Sequence, residues 1–172
     1  MSQYTTRPLK EQDIESIIAI DALVTGVREK GGPDRAGFWR GLLSIYSPVP
    51  LEDSGGAPGI ESMVQPHMCV VAEAAPPSGA SAGPRIAGFI IGDVQSWQFG
   101  IPRHGRIVTI GVHPEHRRHG VASQLAEALL DTFRKMGLPF VHCLARPEDP
   151  LGEFFRSVGF SNSDFEILEK SL

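Results

Sequence analysis

The chain has 172 residues, of which 41% are hydrophobic and 21% charged, and its mean hydropathy is -0.06. These values are typical of a globular protein and exclude a disordered chain or a coiled coil. No run of the sequence approaches the roughly 20 apolar residues of a membrane span. The formal net charge of -4 has the wrong sign for a nucleic-acid-binding protein. The length predicts a single domain over residues 1–172, and the N-terminal sequence lacks the apolar stretch of a secretory signal, so that we expect a cytoplasmic protein.

The first half of the sequence predicts a strand, two helices and a group of strands. A short strand over residues 4–8 precedes a helix over residues 11–23 that carries Ile14, Ile17, Ile18 and Ala22 on one face. Asp34 can cap a second helix over residues 35–46. Three β-rich runs follow, separated by glycine and proline residues that permit antiparallel pairing, over residues 68–74, 86–97 and 106–112.

The second half predicts helices that alternate with strands. The clearest helical pattern covers residues 120–136, where apolar side chains recur at intervals of three and four, and Gly137 can end it. A strand over residues 140–145 and a short helix over residues 150–159 come next, and residues 160–168 can form one or two closing strands. The order β-αα-βββ-α-β-α-β predicts an α/β domain in which helices cover both faces of a mixed central sheet.

The transition from strand to helix over residues 107–130 carries the strongest chemical signal. The first N–H groups of a helix lack internal acceptors and point along its axis, where the helix dipole favours an anion. Gly120 lets the backbone approach a ligand closely, and Arg117 and Arg118 add cationic donors. This pattern predicts a phosphate or pyrophosphate site, and the competing interpretation is an ordinary loop with a solvated basic surface.

Two motifs resemble those of the GNAT superfamily of acyl-CoA-dependent N-acyltransferases. The family pattern Val-x-Pro, followed by Arg/Gln-x-x-Gly-x-Gly/Ala, is matched in order by Val112, Pro114, Arg117, Gly120 and Ala122. The segment FFRSVGF, residues 154–160, looks like the family's short helix that ends in Gly-Phe. The resemblance in the order of elements covers nearly the whole chain.

The resemblance implies that acetyl-CoA is the co-substrate and names the residues that hold it. The pantetheine arm would bond the strand residues Ile110, Gly111 and Val112, and this strand would splay apart from residues 140–144 to admit the thioester. The pyrophosphate would lie on the loop and helix start formed by Arg117, Arg118, His119, Gly120, Val121, Ala122 and Ser123. Phe155 is also counted with the cofactor site, at the position where the family often carries a tyrosine that protonates the departing thiolate. A phenyl ring cannot donate that proton.

The acceptor amine must lose a proton before it attacks a thioester, because amines with pKa values of ~7.7–10.4 are mostly protonated at neutral pH. Asp93, near the end of its strand, and His104, in the loop before the next strand, are candidate bases, with Glu73 as a third. The competing interpretation of each is an exposed strand or loop side chain without a catalytic role.

The histidines and cysteines predict no metal site and no disulfide framework. His113, His116 and His119 recur every third residue, but Pro114 and the adjacent arginines disfavour a helical or cationic metal centre. The two cysteines, residues 69 and 143, lie far apart in apolar runs and are interpreted as buried thiols, with a catalytic thiol as the alternative.

Together these features predict an N-acetyltransferase that moves an acetyl group from acetyl-CoA to a primary amine by direct attack in a ternary complex. Backbone N–H groups of residues 110–112 would hold the oxyanion, and the amine would belong to a small molecule, a peptide N-terminus or a lysine. The alternative is a module that binds acyl-CoA with little or no transferase activity, which the phenylalanine at position 155 motivates. Neither nucleic acid nor membrane is an expected partner, and the resemblance leaves a homodimer open.

Overall fold

The strands form one sheet in chain order. The computed structural model describes residues 3–25, 37, 39, 68–76, 85–95, 100–146 and 148–171. Its five-stranded sheet has the order β1 (Tyr4–Pro8), β2 (Cys69–Ala74), β3 (Arg85–Gln95), β4 (His104–Val112) and β5 (Val141–Cys143). Strands β1 to β4 pair as antiparallel neighbours, whereas β5 is parallel to β4. The mixed sheet predicted from the sequence is confirmed.

Three helices are found in the described part of the chain: α1 (Ile14–Thr25), α2 (Val121–Lys135) and α3 (Pro150–Ser157). A single 3-10 turn over Glu11–Asp13 precedes α1, so the predicted first helix begins with a tighter turn. The predicted second helix over residues 35–46 lies outside the described residues except for Gly37 and Trp39, which both have helical geometry.

Each face of the sheet carries a separate hydrophobic cluster, because successive side chains of a strand point to opposite faces. Val70 and Ile90 lie on the face covered by α2, where they pack with Leu125, Leu129 and Phe133. The neighbouring side chains of β2 and β3 lie on the opposite face, where the cluster consists of Ile17, Ile20, Trp39, Cys69, Val71, Phe89 and Ile91. Each fully buried side chain of this size contributes about 1.5–3 kcal/mol. Helices on both faces, as predicted, therefore fix the sheet from either side.

Gly88 in β3 allows α2 to lie close to the sheet. A Cβ at this position would lie 2.7 Å from the carbonyl oxygen of Gly111 and 3.2 Å from a methyl carbon of Leu125. Since β4 and the helix occupy the space of a side chain, this part of β3 accommodates glycine alone without a backbone shift.

The closing strands predicted over residues 160–168 are absent from the described residues, and this prediction was wrong. The segment after α3 is irregular, and Phe165, Ile167 and Leu168 are exposed. The N–H of Phe165 donates instead to the hydroxyl oxygen of Ser163 at 3.0 Å. Such local side-chain acceptors compete with a β ladder for backbone groups, and an alternating apolar pattern forms a strand only where a neighbouring strand pairs with it.

Candidate active site

A gap opens between β4 and β5 halfway along β4. The two strands pair at Gly105↔Val141, Arg106↔His142 and Ile107↔Cys143, and the described pairing ends there. At the same point, the register of β4 against β3 shifts from Gly92↔Ile107 to Ile91↔Thr109, so that Val108 is the extra residue of a β-bulge. The bulge bends β4, and β5 is shorter than the predicted strand over residues 140–145 because it loses its partner after Cys143.

Two backbone N–H groups of β4 point into this gap. Residues of an antiparallel strand alternate between directing their backbone groups towards the partner strand and away from it. The N–H of His113 donates to the carbonyl of Ala87 at 2.9 Å, which places the backbone groups of residues 111 and 113 on the β3 side. Those of Ile110 and Val112 therefore face the gap, and the guanidinium of Arg117 reaches the Val112 carbonyl at 3.4 Å.

The loop that joins β4 to α2 exposes a group of backbone N–H donors. Arg118 has φ 65° and Gly120 has φ 77°, two left-handed residues that turn the chain into the helix. No carbonyl in the described ranges accepts from the N–H groups of residues 118–123. A Cβ built on Gly120 would meet nothing within 4 Å, so the space beside this residue is open.

This arrangement fits a diphosphate and the extended arm attached to it. The unpaired N–H groups, the positive end of the α2 dipole and the two arginines attract anionic oxygens. The backbone of Ile110 and Val112 continues the line of donors and acceptors into the gap, as a pantetheine arm with its amide groups requires.

The sequence match agrees with this geometry. Residues 40–160, well over half of the chain, match the Acetyltransferase (GNAT) family. The chain belongs to this family. It is an acyl-CoA-dependent N-acetyltransferase whose co-substrate is acetyl-CoA. A search of curated proteins finds no match.

Solved acetyltransferases share the fold. AAC(6')-Iy in complex with the bisubstrate analog CoA-S-monomethyl-acetylneamine has a TM-score of 0.63 at 17% identity, with 99% of each chain covered. Ribosomal-protein-alanine N-acetyltransferase from Brucella melitensis biovar Abortus 2308 has a TM-score of 0.62 at 16% identity, covering 98% of this chain and 99% of that one. An aminoglycoside acetyltransferase from an uncultured soil metagenomic sample, in complex with sisomicin, has a TM-score of 0.62 at 15% identity, covering 99% and 97%. At these identities, the likeness establishes the fold alone.

Polar side chains of the acetyltransferase gather on the α1 face of β3, β4 and β5, at the paired end of the gap. Asp93 is buried and forms a salt bridge with Arg106, whose Nε donates to Asp93 Oδ1 at 3.0 Å. The side-chain amide of Gln95 donates to the same oxygen at 2.9 Å. The candidate base Asp93 therefore uses its lone pairs on a cation and an amide, and it anchors Arg106 beside the gap.

His104 belongs to the same cluster. Its ring is 1% exposed, is stacked on Phe140 with ring centroids 4.8 Å apart, and contacts the ring of His142 at 4.7 Å. Its Nδ1 lies 2.7 Å from the carbonyl oxygen of Pro102, which only accepts, so Nδ1 carries the hydrogen and the neutral ring keeps its lone pair on Nε2. His104 has the chemistry of a base, but its burial separates it from a substrate in the gap.

The sequence interpretation did not single out His142. It lies on β5 opposite Arg106 and is half-buried. The pKa of His142 is lowered, mainly by burial and then by His104 and Arg106, although Asp93 opposes the shift. The strand pattern alone could have placed His142 on the same face as Phe140, but its position opposite Arg106 depends on a register that a single sequence does not reveal.

Glu73 lies apart from this cluster, on β2 opposite Thr5 of β1. The Nε of Arg7 donates to Glu73 at 2.8 Å, and its two Nη groups donate to Asp13 at 2.6 and 2.9 Å. Burial raises the pKa of Asp13, but hydrogen bonds from Arg7 and the N–H of Lys10 outweigh it and hold the pKa below its ordinary value. Glu73 is thus part of an ion-pair network between β1, β2 and the turn before α1.

Phe155 is buried in the cluster on the α2 face, where its ring contacts Phe154 and Phe160. It carries no proton donor towards the gap. Tyr4 is the tyrosine that the structure describes, and its hydroxyl is 3.2 Å from Nδ1 of His116. This contact ties β1 to the loop before α2. The pKa of His116 is lowered, first by burial and then by His113.

The two cysteines are the remaining candidate groups. Burial raises the pKa of the Cys69 thiol to about 12 and also raises that of the half-buried Cys143. In the described ranges, no group of three or more histidine, cysteine or acidic side chains is arranged to hold a metal ion. No helix among the described residues is long and apolar enough to cross a membrane.

Proposed function

We propose that this acetyltransferase transfers the acetyl group to a primary amine by direct attack within a ternary complex, and that one domain spans residues 1–172. The gap between β4 and β5 carries the proposal. The gap extends from the N–H groups before α2 to the α1 face of the sheet, where a second substrate would meet the thioester. Helix α2 covers the other face of the sheet.

The backbone of β4 would stabilise the tetrahedral intermediate. The N–H groups of Ile110 and Val112 face the gap, and one of them would donate to the oxygen that becomes negative as the amine attacks. Donors that are already oriented towards such an oxygen contribute about 2.7–4 kcal/mol each in well-studied hydrolases. The cradle over residues 118–123 would hold the diphosphate, which sets how far the thioester extends along the gap.

The leaving thiolate would depart without a tyrosine. A thiol with a pKa of ~8.5 is an acceptable leaving group as the anion, and general acid catalysis contributes roughly 10²–10⁴-fold where it operates. Phe155 would therefore reduce the rate rather than abolish the reaction. Of the candidate bases, Asp93 would orient Arg106, and the buried His104 would support the polar cluster without contacting the amine.

A module that binds acyl-CoA without transfer is the second candidate, and Phe155 is the observation that favours it. A thiol-release assay with acetyl-CoA over a panel of amines separates the two functions. The panel contains peptides with free N-termini, peptides with internal lysines, polyamines and aminoglycosides, and mass spectrometry identifies the acetylated product.

Saturable, amine-dependent thiol release with an N-acetylated product is the result that we expect. Calorimetric binding of acetyl-CoA without turnover on any amine would favour the binding module instead. Thiol release at the same rate with and without amine would contradict both and indicate thioester hydrolysis.

A further inference from the structure

We infer that His142 is the general base that removes a proton from the acceptor amine, and that His104 is a positioning residue that holds the His142 ring. This inference rests on the proposed function, because it concerns the amine side of that reaction. It transfers the role of base from the buried candidates Asp93 and His104 to a residue on the neighbouring strand.

The position of His142 along the gap is the first argument. Its partner across the strands is Arg106, and the next pair, Ile107↔Cys143, is the last before β4 and β5 separate. His142 is therefore one residue from the opening, on the α1 face, where α2 does not cover the sheet. His104 lies two residues before Arg106, ahead of the first β4–β5 pair, and is thus farther from the gap.

Exposure is the second argument. A base must contact the amine, and His104 is 1% exposed whereas His142 is half-buried. His142 also lines a cavity of about 640 Å³ along the outer edge of β5, together with Phe140 and Phe165. A cavity of this size holds several waters, so a proton taken up by His142 has a route to solvent that does not cross the gap.

The ring contact with His104 is the third argument. The two rings have centroids 4.7 Å apart at an angle of 41°, and Phe140 also stacks on His104. His104 is itself fixed by its Nδ1–H bond to the carbonyl of Pro102. A rigid, buried ring with a defined tautomer thus supports one side of His142 and limits its rotamers.

The charges around His142 favour its neutral form, as a base requires. Asp93 on β3 is paired with Arg106 on β4, so their charges largely cancel. The cavity side presents Arg134 of α2 and Arg156 of α3, with Asp164 in the segment after α3. Burial, and after it the neighbouring His104 and Arg106, lower the pKa of His142 against the opposing effect of Asp93.

The amine loses two protons in this reaction, and each has an acceptor. The imidazole of His142 takes one proton from the bound ammonium group, and the freed nitrogen lone pair forms the C–N bond to the thioester carbonyl carbon. The C–S bond then breaks, and the sulfur leaves with its electron pair. The second amine proton passes to this thiolate, and His142 releases the first proton to water in the cavity.

The test compares His142→Gln, His104→Gln and the control Lys135→Gln, which replaces an exposed residue at the end of α2. The assay measures kcat and KM for the best amine of the panel over a range of pH. We expect His142→Gln to lower kcat/KM for the amine by roughly 10²-fold or more and to remove the acidic inflection of its pH profile. The affinity for acetyl-CoA, measured by calorimetry, should stay within about twofold of wild type in all three variants. A tenfold loss, equivalent to ~1.4 kcal/mol, would indicate that the variant has disturbed acetyl-CoA binding.

Two readouts distinguish catalysis from a structural role. Imidazole added to His142→Ala should restore part of the rate, which a misfolded site would not allow. In His104→Gln, removing a neighbouring titratable ring should raise the pKa of His142 and move the acidic inflection to higher pH, which a role in packing alone would not cause.

The possible results distinguish a failure of the inference about His142 from a failure of the proposed function. If the wild-type enzyme acetylates amines but His142→Gln keeps the wild-type kcat/KM and pH profile, the inference is overturned while the proposed function stands. An inflection that stays in place in His104→Gln would overturn the positioning role. If wild type binds acetyl-CoA and acetylates no amine, the proposed function and the inference both fail.

Discussion

Gly120 offers a sharp test of the diphosphate cradle, because the same helix has a matched glycine at its other end. Gly120 precedes α2 with φ 77°, and Gly137 follows it with φ 69°. A Cβ on either residue would meet no protein atom within 4 Å. Alanine at either position therefore brings the same backbone strain without a clash, and only the one at position 120 would enter the proposed ligand space.

The expected magnitudes follow from this comparison. Alanine in the left-handed region costs about 1–2 kcal/mol at each position, and each kcal/mol lowers Tm by roughly 2–4 °C in a chain of this size. A Cβ that displaces one diphosphate oxygen from the N–H donors removes a hydrogen bond to a charged group, worth about 1.5–3 kcal/mol. We therefore expect Gly120→Ala to weaken acetyl-CoA binding by roughly 10- to 150-fold, and Gly137→Ala to leave it unchanged.

A second pair at the same position isolates the charge. Gly120→Asn and Gly120→Asp place side chains of equal size in the cradle, and both can accept hydrogen bonds from the first turn of α2. The aspartate adds a negative charge where the diphosphate would lie, so it should weaken binding further than asparagine, and the difference should shrink at high salt. Isothermal titration calorimetry with acetyl-CoA and thermal melts of each variant measure both effects. Equal affinities for Gly120→Ala and Gly137→Ala, at equal Tm, would refute the cradle.

Two further predictions concern stability. Gly88→Ala should lower the free energy of unfolding by about 2–3 kcal/mol, within the range for overpacked cores, because its Cβ would lie 2.7 Å from the carbonyl oxygen of Gly111 in β4; urea denaturation measures it, and an unchanged midpoint would contradict this close approach of the β4 backbone. Arg7→Leu should cost about 3 kcal/mol at pH 7, since it leaves the buried carboxylate of Asp13 without its cation. Because the pKa of Asp13 is lowered in the folded state, its contribution is complete above the unfolded value of ~3.9 and is lost as pH falls through the folded pKa. Wild type should therefore lose more stability than Arg7→Leu on acidification, and parallel pH curves would refute this assignment.

The sequence predicted the sheet, the helices and the glycine turn before α2 because each leaves a local pattern. The 3-4 spacing of apolar residues in α2, the short apolar run of β2 and the glycine before the helix all follow from interactions within a few residues. The family match confirms the resemblance that the loop motif suggested.

The rest depends on contacts between distant residues. The pairing of Arg7 with Asp13 and Glu73, and of Asp93 with Arg106, joins segments whose relative register a single sequence does not encode. The same holds for His142, which comes beside His104 only when β5 pairs with β4. The prediction of closing strands failed for a related reason, since Phe165 and Ile167 have the alternation of a strand but pair with no described strand.

Because Val108 is the extra residue of the bulge, the number of residues in this part of β4 matters more than which side chain stands at position 108. Arg106 points to the α1 face, and after the bulge Ile110 packs on the α2 side, so the alternation changes phase at this residue. Val108 itself is 38% exposed, so many side chains fit there. Deleting it would exchange inward and outward side chains on one half of the strand and rotate the N–H groups of that half away from the gap. Substitutions at position 108 should therefore change the stability of the protein little. Deleting or inserting one residue in the strand would instead break the continuous path from the proposed diphosphate site to the polar cluster.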